Sequence, residues 1–331
     1  MIADCCPHSH AALPCRLASR ATYRNVRLIY NPNAGKLVKN PALPDRVETA
    51  LREAGVGVVR APTSAPGHAT ELAAAAIAQG SDLVIAMGGD GTVNEVLNGM
   101  IGSRVPLAVI PGGTANVYCC ETGIPRQPEK AAAALPGWVP VRVALGRFTL
   151  SAAPDVPPRY FLLMAGAGLD ASIVQKVEPG VKRRWGKLAY WFAGLRTFGS
   201  GLTIFKVRAE GREFVTGFAL SSRVKNYGGD LEIATRASLH DDQFELVTFR
   251  GRSTFPYGIY LGGAVVSYTT SLPGVTSMRT RKVELEPIDD DPVFLQIDGE
   301  LGGRLPATIE LVPDALTVLM PAAAAAGARQ R

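Results

Sequence analysis

The sequence predicts an α/β domain built on a parallel sheet, followed by an antiparallel, β-rich domain. Three observations carry this expectation. Several short apolar runs near the start each end in a polar turn and lead into a helical pattern. After about residue 140 the runs become β-rich and are parted only by turn residues. The 331 residues are also too many for one small core. Continuous apolar strands alternating with amphipathic helices belong to a parallel sheet covered on both faces.

Residues 1–23 read as a leader ahead of the first strand. Cys5, Cys6, His8 and His10 are metal-capable, but their spacing matches no standard zinc site. The segment also lacks the apolar core of a signal peptide. The α/β domain is expected over 24–140. There "VRLIY" (26–30) ends in "NPNAGK" before the helical "PDRVETALREAG", and "VGVVRA" (56–61) ends in "PTSAPG" before "HATELAAAAIAQG". "DLVIAM" (82–87) ends in "GGDG" before "TVNEVLNGM", and "PLAVI" (106–110) ends in "PGGT" before "ANVYCCETG". Gly55 and Gly80, just past helical patterns, suit C-terminal caps. Every polar turn in this series follows a strand and precedes a helix. In an open α/β sheet that is the edge where ligands bind.

From 141 to 320 the pieces are "VPVRVALGRFTL", "RYFLLMAGAG", "LTIFKVRAEG", "REFVTGFALSS", "FELVTFR", "KVELEP", "PVFLQIDGE", "ATIELVP" and "ALTVLMP". Such short β-rich runs predict an antiparallel sandwich or barrel. "AAPDVPP" (152–158) reads as a surface loop and 321–331 as a frayed tail, and the last strand could return to the first domain. The longest uncharged stretch, Ser253 to Met278, holds two prolines, paired glycines and many hydroxyls. That makes a poor lipid-facing helix and predicts a buried helix and loop.

With 47% hydrophobic and 19% charged residues, the chain has ample material for its cores. A formal net charge of +6 suits an anionic ligand or a membrane surface. No helix-turn-helix or zinc-finger pattern occurs, so nucleic acid is not an expected partner. Five cysteines, including two adjacent pairs, make a poor disulfide framework and point to a reducing cytoplasm.

The turn "GGDGT" fits neither the G-x-x-x-x-G-K-[ST] phosphate loop nor G-x-G-x-x-G. It is a short glycine turn at a helix N-terminus, with Thr92 and Asn94 as side-chain donors, and exposed N–H groups there favour an anion. Asp90 at its centre repels phosphate, by about 4 kcal/mol per unit-charge pair at about 4 Å in an effective dielectric of about 20. A divalent cation bridging carboxylate and phosphate removes that penalty. So does an orientation toward an acceptor hydroxyl whose proton the carboxylate helps remove. A third reading, Asp90 as cap of the following helix, is compatible with either.

"NPNAGK", Thr63 with the "GHA" after it, "GGDGTVNEV", "PGGTAN", "GAGLDA" and "DGE" occur in an order that resembles the diacylglycerol kinase catalytic family. That family holds bacterial diacylglycerol-kinase-like lipid kinases and the sphingosine and ceramide kinases. The resemblance runs from about Arg24 to Pro321. "GGDGT" alone is shared with NAD kinase and, in variant form, with phosphofructokinase; the ordered set is the specific signal.

The resemblance implies a kinase that uses ATP and Mg2+, with a Rossmann-like N-terminal domain of NAD-kinase/diacylglycerol-kinase type and a C-terminal antiparallel β-sandwich. By position, Asn31, Pro32, Asn33, Ala34, Gly35, Thr63, Gly88, Gly89, Asp90, Gly91, Thr92, Val93, Asn94, Gly112, Gly113 and Thr114 would line the nucleotide phosphates and ribose. The "DGE" turn would supply the general base, Asp298 or Glu300, with Asp90 assisting. A structural magnesium would sit on "SLHDDQFELV", held by the Asp242 side chain and the carbonyls of Leu239 and Phe244; a solvated acidic turn is the alternative. The sequence departs from the family pattern at Val117, where many diacylglycerol kinases carry an acidic residue. It also departs at Gln243, in place of the usual glycine, and at "NYGGD", in place of a glycine triplet.

"VKRRWGKLAYWFAGLRTF" (181–198) interleaves Lys182, Arg183, Arg184, Lys187 and Arg196 with aromatic residues and contains no acid. Such basic–aromatic helices lie in lipid interfaces; packing of the aromatics on the sandwich is the alternative. The expected reaction is transfer of the ATP γ-phosphoryl group to a hydroxyl of a lipid such as diacylglycerol. The protein would be cytoplasmic and rest on the inner face of the membrane, with homodimer formation left open. An NAD-kinase-like enzyme for a soluble substrate and a nucleotide- or lipid-binding module without turnover are the alternatives. The basic–aromatic segment speaks against the first, and the joint presence of Asp90, Asp298 and Glu300 against the second.

Overall fold

The computed structural model describes residues 23–168, 203–228, 231–250 and 272–327. Residues 1–22 of the expected leader, the basic–aromatic segment 182–198 and the 253–271 part of the uncharged stretch lie outside the described residues.

Strands β1 (Val26–Tyr30), β2 (Val58–Pro62), β3 (Leu83–Gly88) and β4 (Leu107–Pro111) pair in parallel in the order β2-β1-β3-β4. Helices α1 (Gly35–Lys39), α2 (Leu43–Glu53), α3 (His68–Ala78), α4 (Asp90–Gly99), α5 (Val117–Thr122) and α6 (Pro128–Ala134) accompany them. Central β3 is buried at every residue, and each large apolar side chain there contributes about 1.5–3 kcal/mol. Edge strand β2 instead exposes Val59 and Arg60, and Arg60 forms ion pairs with Asp45 and Glu48 of α2. A charged edge discourages pairing with another chain. Helix α2 buries Leu43, Val47 and Leu51, one stripe at helical spacing, with Pro44 in its first turn. Gly55 and Gly80 close α2 and α3 with φ of +84° and +74°, a conformation that glycine adopts without strain.

The second half contributes β5 (Trp138–Leu150), β6 (Arg159–Phe161), β7 (Met164–Gly168), β8 (Phe205–Ala209), β9 (Arg212–Thr216) and β10 (Phe218–Ser222). They are followed by β11 (Asn226–Tyr227), β12 (Leu231–Glu232), β13 (Phe244–Phe249), β14 (Val275–Thr280), β15 (Lys282–Pro287), β16 (Phe294–Ile297), β17 (Glu300–Arg304) and β18 (Ala307–Pro321). One layer is antiparallel throughout, in the order β14-β13-β10-β7-β16-β17. The facing layer extends the parallel sheet. β18 lies parallel to β4, with Val318 against Leu107, and the sheet continues through β15, β8 and β9. β5 pairs with β18 along most of its length. Phe161, Phe205, Phe244, Leu295 and Ile309 fill the space between the layers.

Several runs divide differently from the sequence reading. "RYFLLMAGAG" breaks between β6 and β7 at Leu162 and Leu163, whose N–H groups bind a carboxylate instead of a neighbouring strand. "REFVTGFALSS" breaks at Gly217, where the chain crosses from one layer (β9) to the other (β10). "ATIELVP" and "ALTVLMP" form the single strand β18, whose register shifts between Val312 and Leu316 around Pro313. Val275–Met278, expected as part of a buried helix and loop, lies in strand β14, because the edge of β13 pairs with that strand from Phe249↔Val275 to Phe244↔Thr280. Ala322–Ala326 does not fray. It forms a short helix, α7, with Ala325 buried and the Ala324 carbonyl 3.0 Å from His240 Nε2. Among the described residues no helix is long and apolar enough to cross a membrane.

Candidate active site

The carboxyl ends of β1, β3 and β4 bring their turns into backbone contact. The Asn31 side chain accepts the Asn33 N–H (2.8 Å) and shapes the first turn as an Asx-turn. The Lys36 N–H donates to the Gly112 carbonyl (2.9 Å), and the Gly112 and Gly113 N–H groups both donate to the Gly88 carbonyl (2.8 and 2.9 Å). Thr63, just past β2, donates its N–H to the Tyr30 carbonyl (2.9 Å), which places it beside the first turn. A Cβ on Gly113 would lie 2.4 Å from Gly89 Cα, so the two turns meet where only glycine fits. Gly113→Ala must push backbone from backbone, and it is expected to cost about 1–3 kcal/mol, as overpacking does. Urea unfolding checks this; an unchanged midpoint would show that the turns tolerate separation.

The "DGE" turn closes over this rim. A Cβ on Gly91 would lie 1.9 Å from Glu300 Oε1, so the Glu300 carboxylate rests on the "GGDGT" turn itself. Asp298 and Gly299 take left-handed φ of +48° and +84° in the reversal between β16 and β17. Such a conformation is uncommon for a non-glycine residue. Four donors hold Asp298 there: the N–H groups of Leu162 (3.0 Å), Leu163 (2.9 Å) and Met164 (3.0 Å), and the Asn94 amide (2.9 Å). These bonds interrupt the run between β6 and β7.

Asp90 Oδ1 accepts the Val117 N–H (2.8 Å), and no side-chain bond caps α4. Asp90 therefore ties the start of α4 to the start of α5, with its own N–H and that of Asn116 also acting on the carboxylate beside Val117. Burial pushes the Asp90 carboxyl up to about 6; the Val117 N–H opposes the shift and the nearby Asp298 adds to it. Burial also raises Asp298, against its four donors. Between the ordinary value of 3.8 and about 6 the folded chain keeps a proton at Asp90 that the unfolded chain has lost. Stability is therefore expected to fall as pH rises through that window, by at most about 3 kcal/mol from Asp90. Urea unfolding from about pH 4 to about pH 7 reads the slope, and Asp90→Asn should remove the share due to Asp90. A collection of carboxylates that resists carrying all its charge suits a divalent cation or a proton transfer.

Not every expected residue faces the open side of the rim. Thr92, Val93 and Asn94 are buried beneath the turn, and the Asn94 amide is engaged by Asp298 and the Tyr160 carbonyl (3.0 Å). Lys36 turns its ammonium toward the carbonyls of Pro111 (3.3 Å) and Arg126 (2.5 Å). Asn98 escaped the sequence reading. Its amide donates to the Tyr160 carbonyl (2.9 Å) and its oxygen accepts the Tyr160 N–H (2.9 Å). The spacing of Asn94 and Asn98, one helical turn apart in "NEVLN", was the available signal.

Of the residues expected to hold a structural magnesium, Leu239 already has a cation on its carbonyl. The Leu239 carbonyl accepts from the Arg223 guanidinium (2.6 Å). Phe244 belongs to strand β13, opposite Thr280. A cation ligated by the Leu239 oxygen at about 2.3 Å would lie at most about 5 Å from the guanidinium. That pair alone would repel by about 7 kcal/mol in an effective dielectric of about 20, against the attraction of the Asp242 and Asp241 carboxylates that also act on Arg223. Burial lowers Arg223 to about 10, against Asp242, Asp241 and Asp298, so it remains a cation at neutral pH. An arginine inside the apolar run "FALSSRV" was the sequence signal for this site.

The comparisons with known proteins agree in direction. The family described as the diacylglycerol kinase catalytic domain matches residues 25–147. The YegS C-terminal NAD kinase beta sandwich-like domain matches residues 164–320. A diacylglycerol kinase of Mycobacterium tuberculosis is 30% identical over 285 residues, covering 82% of this chain and 87% of its own. One from Bacillus subtilis is 28% identical over 304 residues, covering 90% and 97%. The crystal structure of a diacylglycerol kinase from Bacillus anthracis superposes with a TM-score of 0.73 at 22% identity, over 92% of this chain and 99% of that one. That last likeness establishes the shared fold.

Proposed function

Since this chain belongs to the diacylglycerol kinase catalytic family, and is by that membership a phosphotransferase, we propose that it transfers the γ-phosphoryl group of ATP to a hydroxyl of a membrane lipid such as diacylglycerol. The observation that carries this reading is the contact of the Glu300 carboxylate with Gly91, which sets an acidic side chain over a glycine turn rich in N–H groups.

In this reading the turns at 31–35, 88–91 and 112–114, through those N–H groups not already bonded within the rim and with the Thr63 and Thr114 hydroxyls, bind the phosphate oxygens and the ribose. Asp90 holds the magnesium that accompanies the nucleotide, which supplies positive charge to the phosphoryl group in transfer. A carboxylate offers about four acceptor positions, and all four on Asp298 are taken by Leu162, Leu163, Met164 and Asn94. Asp298 is thus a positioning residue, and Glu300 takes the proton from the lipid hydroxyl. Segment 182–198 docks on the bilayer, each basic residue near an anionic surface contributing about 1 kcal/mol.

The test incubates the protein with labelled ATP, magnesium and vesicles carrying diacylglycerol, monoacylglycerol or a sphingoid base, with NAD as a soluble control. Label in one lipid supports the reading and names the acceptor. Label in NAD alone overturns it.

A further inference from the structure

Arg223 is fully buried at the join of several chain segments, and the reaction scheme above does not use it. Its guanidinium donates to the carbonyls of Ala144 on β5, of Leu162 in the break between β6 and β7 (3.5 Å), and of Leu239 and Asp241 (2.6 and 3.4 Å). Its own N–H donates to the Leu163 carbonyl (2.8 Å). A buried charge is costly unless surrounding groups offset it, and here backbone oxygens accept from the guanidinium while the Asp242, Asp241 and Asp298 carboxylates favour its charge, a combination also found around metal ions.

The same peptides face the active site. Leu162 presents its carbonyl to the Arg223 guanidinium (3.5 Å) and Leu163 its carbonyl to the Arg223 main-chain N–H, while the N–H groups of both leucines bind Asp298. One short segment is therefore held from both sides, by the guanidinium and main-chain N–H of Arg223 beneath and by the site carboxylate above. Peptide groups so aligned polarise one another, and each bond strengthens the next.

We propose that Arg223 is a fixed internal cation that does the work of a structural metal: it binds β5, the 162–164 segment and the 239–241 turn together and so holds Asp298 in place for phosphoryl transfer. Arg223 is a positioning residue, and this role rests on the function proposed above.

The test uses the full chain, Arg223→Lys and Arg223→Met. Lysine keeps a cation with fewer donors, whereas methionine keeps bulk without charge. Lipid phosphorylation is measured with ATP varied, per folded molecule by circular dichroism. For Arg223→Met, kcat is expected to fall about 10- to 100-fold, as when an outer partner of a site is lost, with KM for ATP within about twofold. Arg223→Lys should recover most of that loss; a role in shape alone would leave lysine no better than methionine. Separately, the thermal midpoint of the wild-type protein without nucleotide is read in EDTA and in millimolar magnesium. It should not move, whereas a bound structural cation would raise it by several degrees.

A wild-type midpoint that drops on chelation, a methionine variant with wild-type kcat, or a lysine variant as impaired as the methionine one overturns the proposal. If Arg223→Met does not fold, the lysine variant and the chelation measurement decide. If the wild-type protein labels no lipid, the kinase reading fails, while the chelation measurement, which needs no turnover, still decides whether Arg223 stands in for a metal.

Discussion

Glu300→Gln is expected to lower kcat for lipid phosphorylation by about a thousandfold and to leave the fold intact. The side chain keeps its size, so the contact with Gly91 survives. What is lost is the ability to accept a proton, and removing a general base costs about 10²–10⁴ in rate. KM for ATP should stay within about twofold, because the phosphates are held by backbone N–H groups rather than by this carboxylate. The midpoint of unfolding should shift by less than about 0.5 kcal/mol, as for a surface substitution, since Glu300 is only half-buried at the start of β17. Gly91→Ala offers an independent route to the same group, because its new Cβ would occupy the place of Glu300 Oε1 and drive the carboxylate off the turn. Near-normal turnover of Glu300→Gln would move the base role to another group, with Asp90 the next nearest to the turn.

The parallel half was legible in the sequence because its central strands are buried on both faces. β3 and β4 are apolar throughout, and their turns supply the only polar residues between strand and helix. The second half was harder to divide. β14 carries Thr276, Ser277 and Arg279, a composition that resembles loop, and it becomes a strand only because β13 needs a partner. The break inside "RYFLLMAGAG" was invisible for a similar reason. Leu162 and Leu163 are as apolar as strand residues, and their N–H groups leave the ladder for a carboxylate more than a hundred residues later in the chain.

The site follows the same division. "GGDGT" and "DGE" stand out because glycine beside acid is rare outside turns that need both, and the structure brings the two together at Gly91 and Glu300. The supporting groups were not legible as such. Asn94 looked like a phosphate donor because it follows the glycine turn, yet one turn of helix carries it under the rim to Asp298. Arg223 acts on backbone oxygens of distant segments, for which no motif exists. The second half also departs from the family pattern near "DDQ", and there a side-chain cation occupies the Leu239 carbonyl, one of the two expected to bind metal.

Asp298→Asn is expected to be the most damaging of these changes to both stability and turnover. In the wild-type protein each carboxylate oxygen accepts two bonds: Oδ1 from Leu163 and Met164, and Oδ2 from Leu162 and Asn94. An asparagine offers one oxygen and one NH2, so whichever way it turns, two buried donors confront another donor. Leaving a buried donor unsatisfied costs about 1–3 kcal/mol, so a loss of about 2–5 kcal/mol is expected in urea unfolding. The reversal at Asp298 adds to the effect, since its left-handed φ of +48° is held in place by these bonds. With the turn released, Glu300 two residues on loses its seat on Gly91. A misplacement of about 1 Å can cost about 10² in rate, so kcat should fall by at least that much even in molecules that remain folded. Asp298 and Glu300 then separate by phenotype: Glu300→Gln loses rate without stability, whereas Asp298→Asn loses both. If Asp298→Asn kept the wild-type unfolding midpoint and lost only rate, its carboxylate would be the proton acceptor, and the roles of the two acids would have to be exchanged.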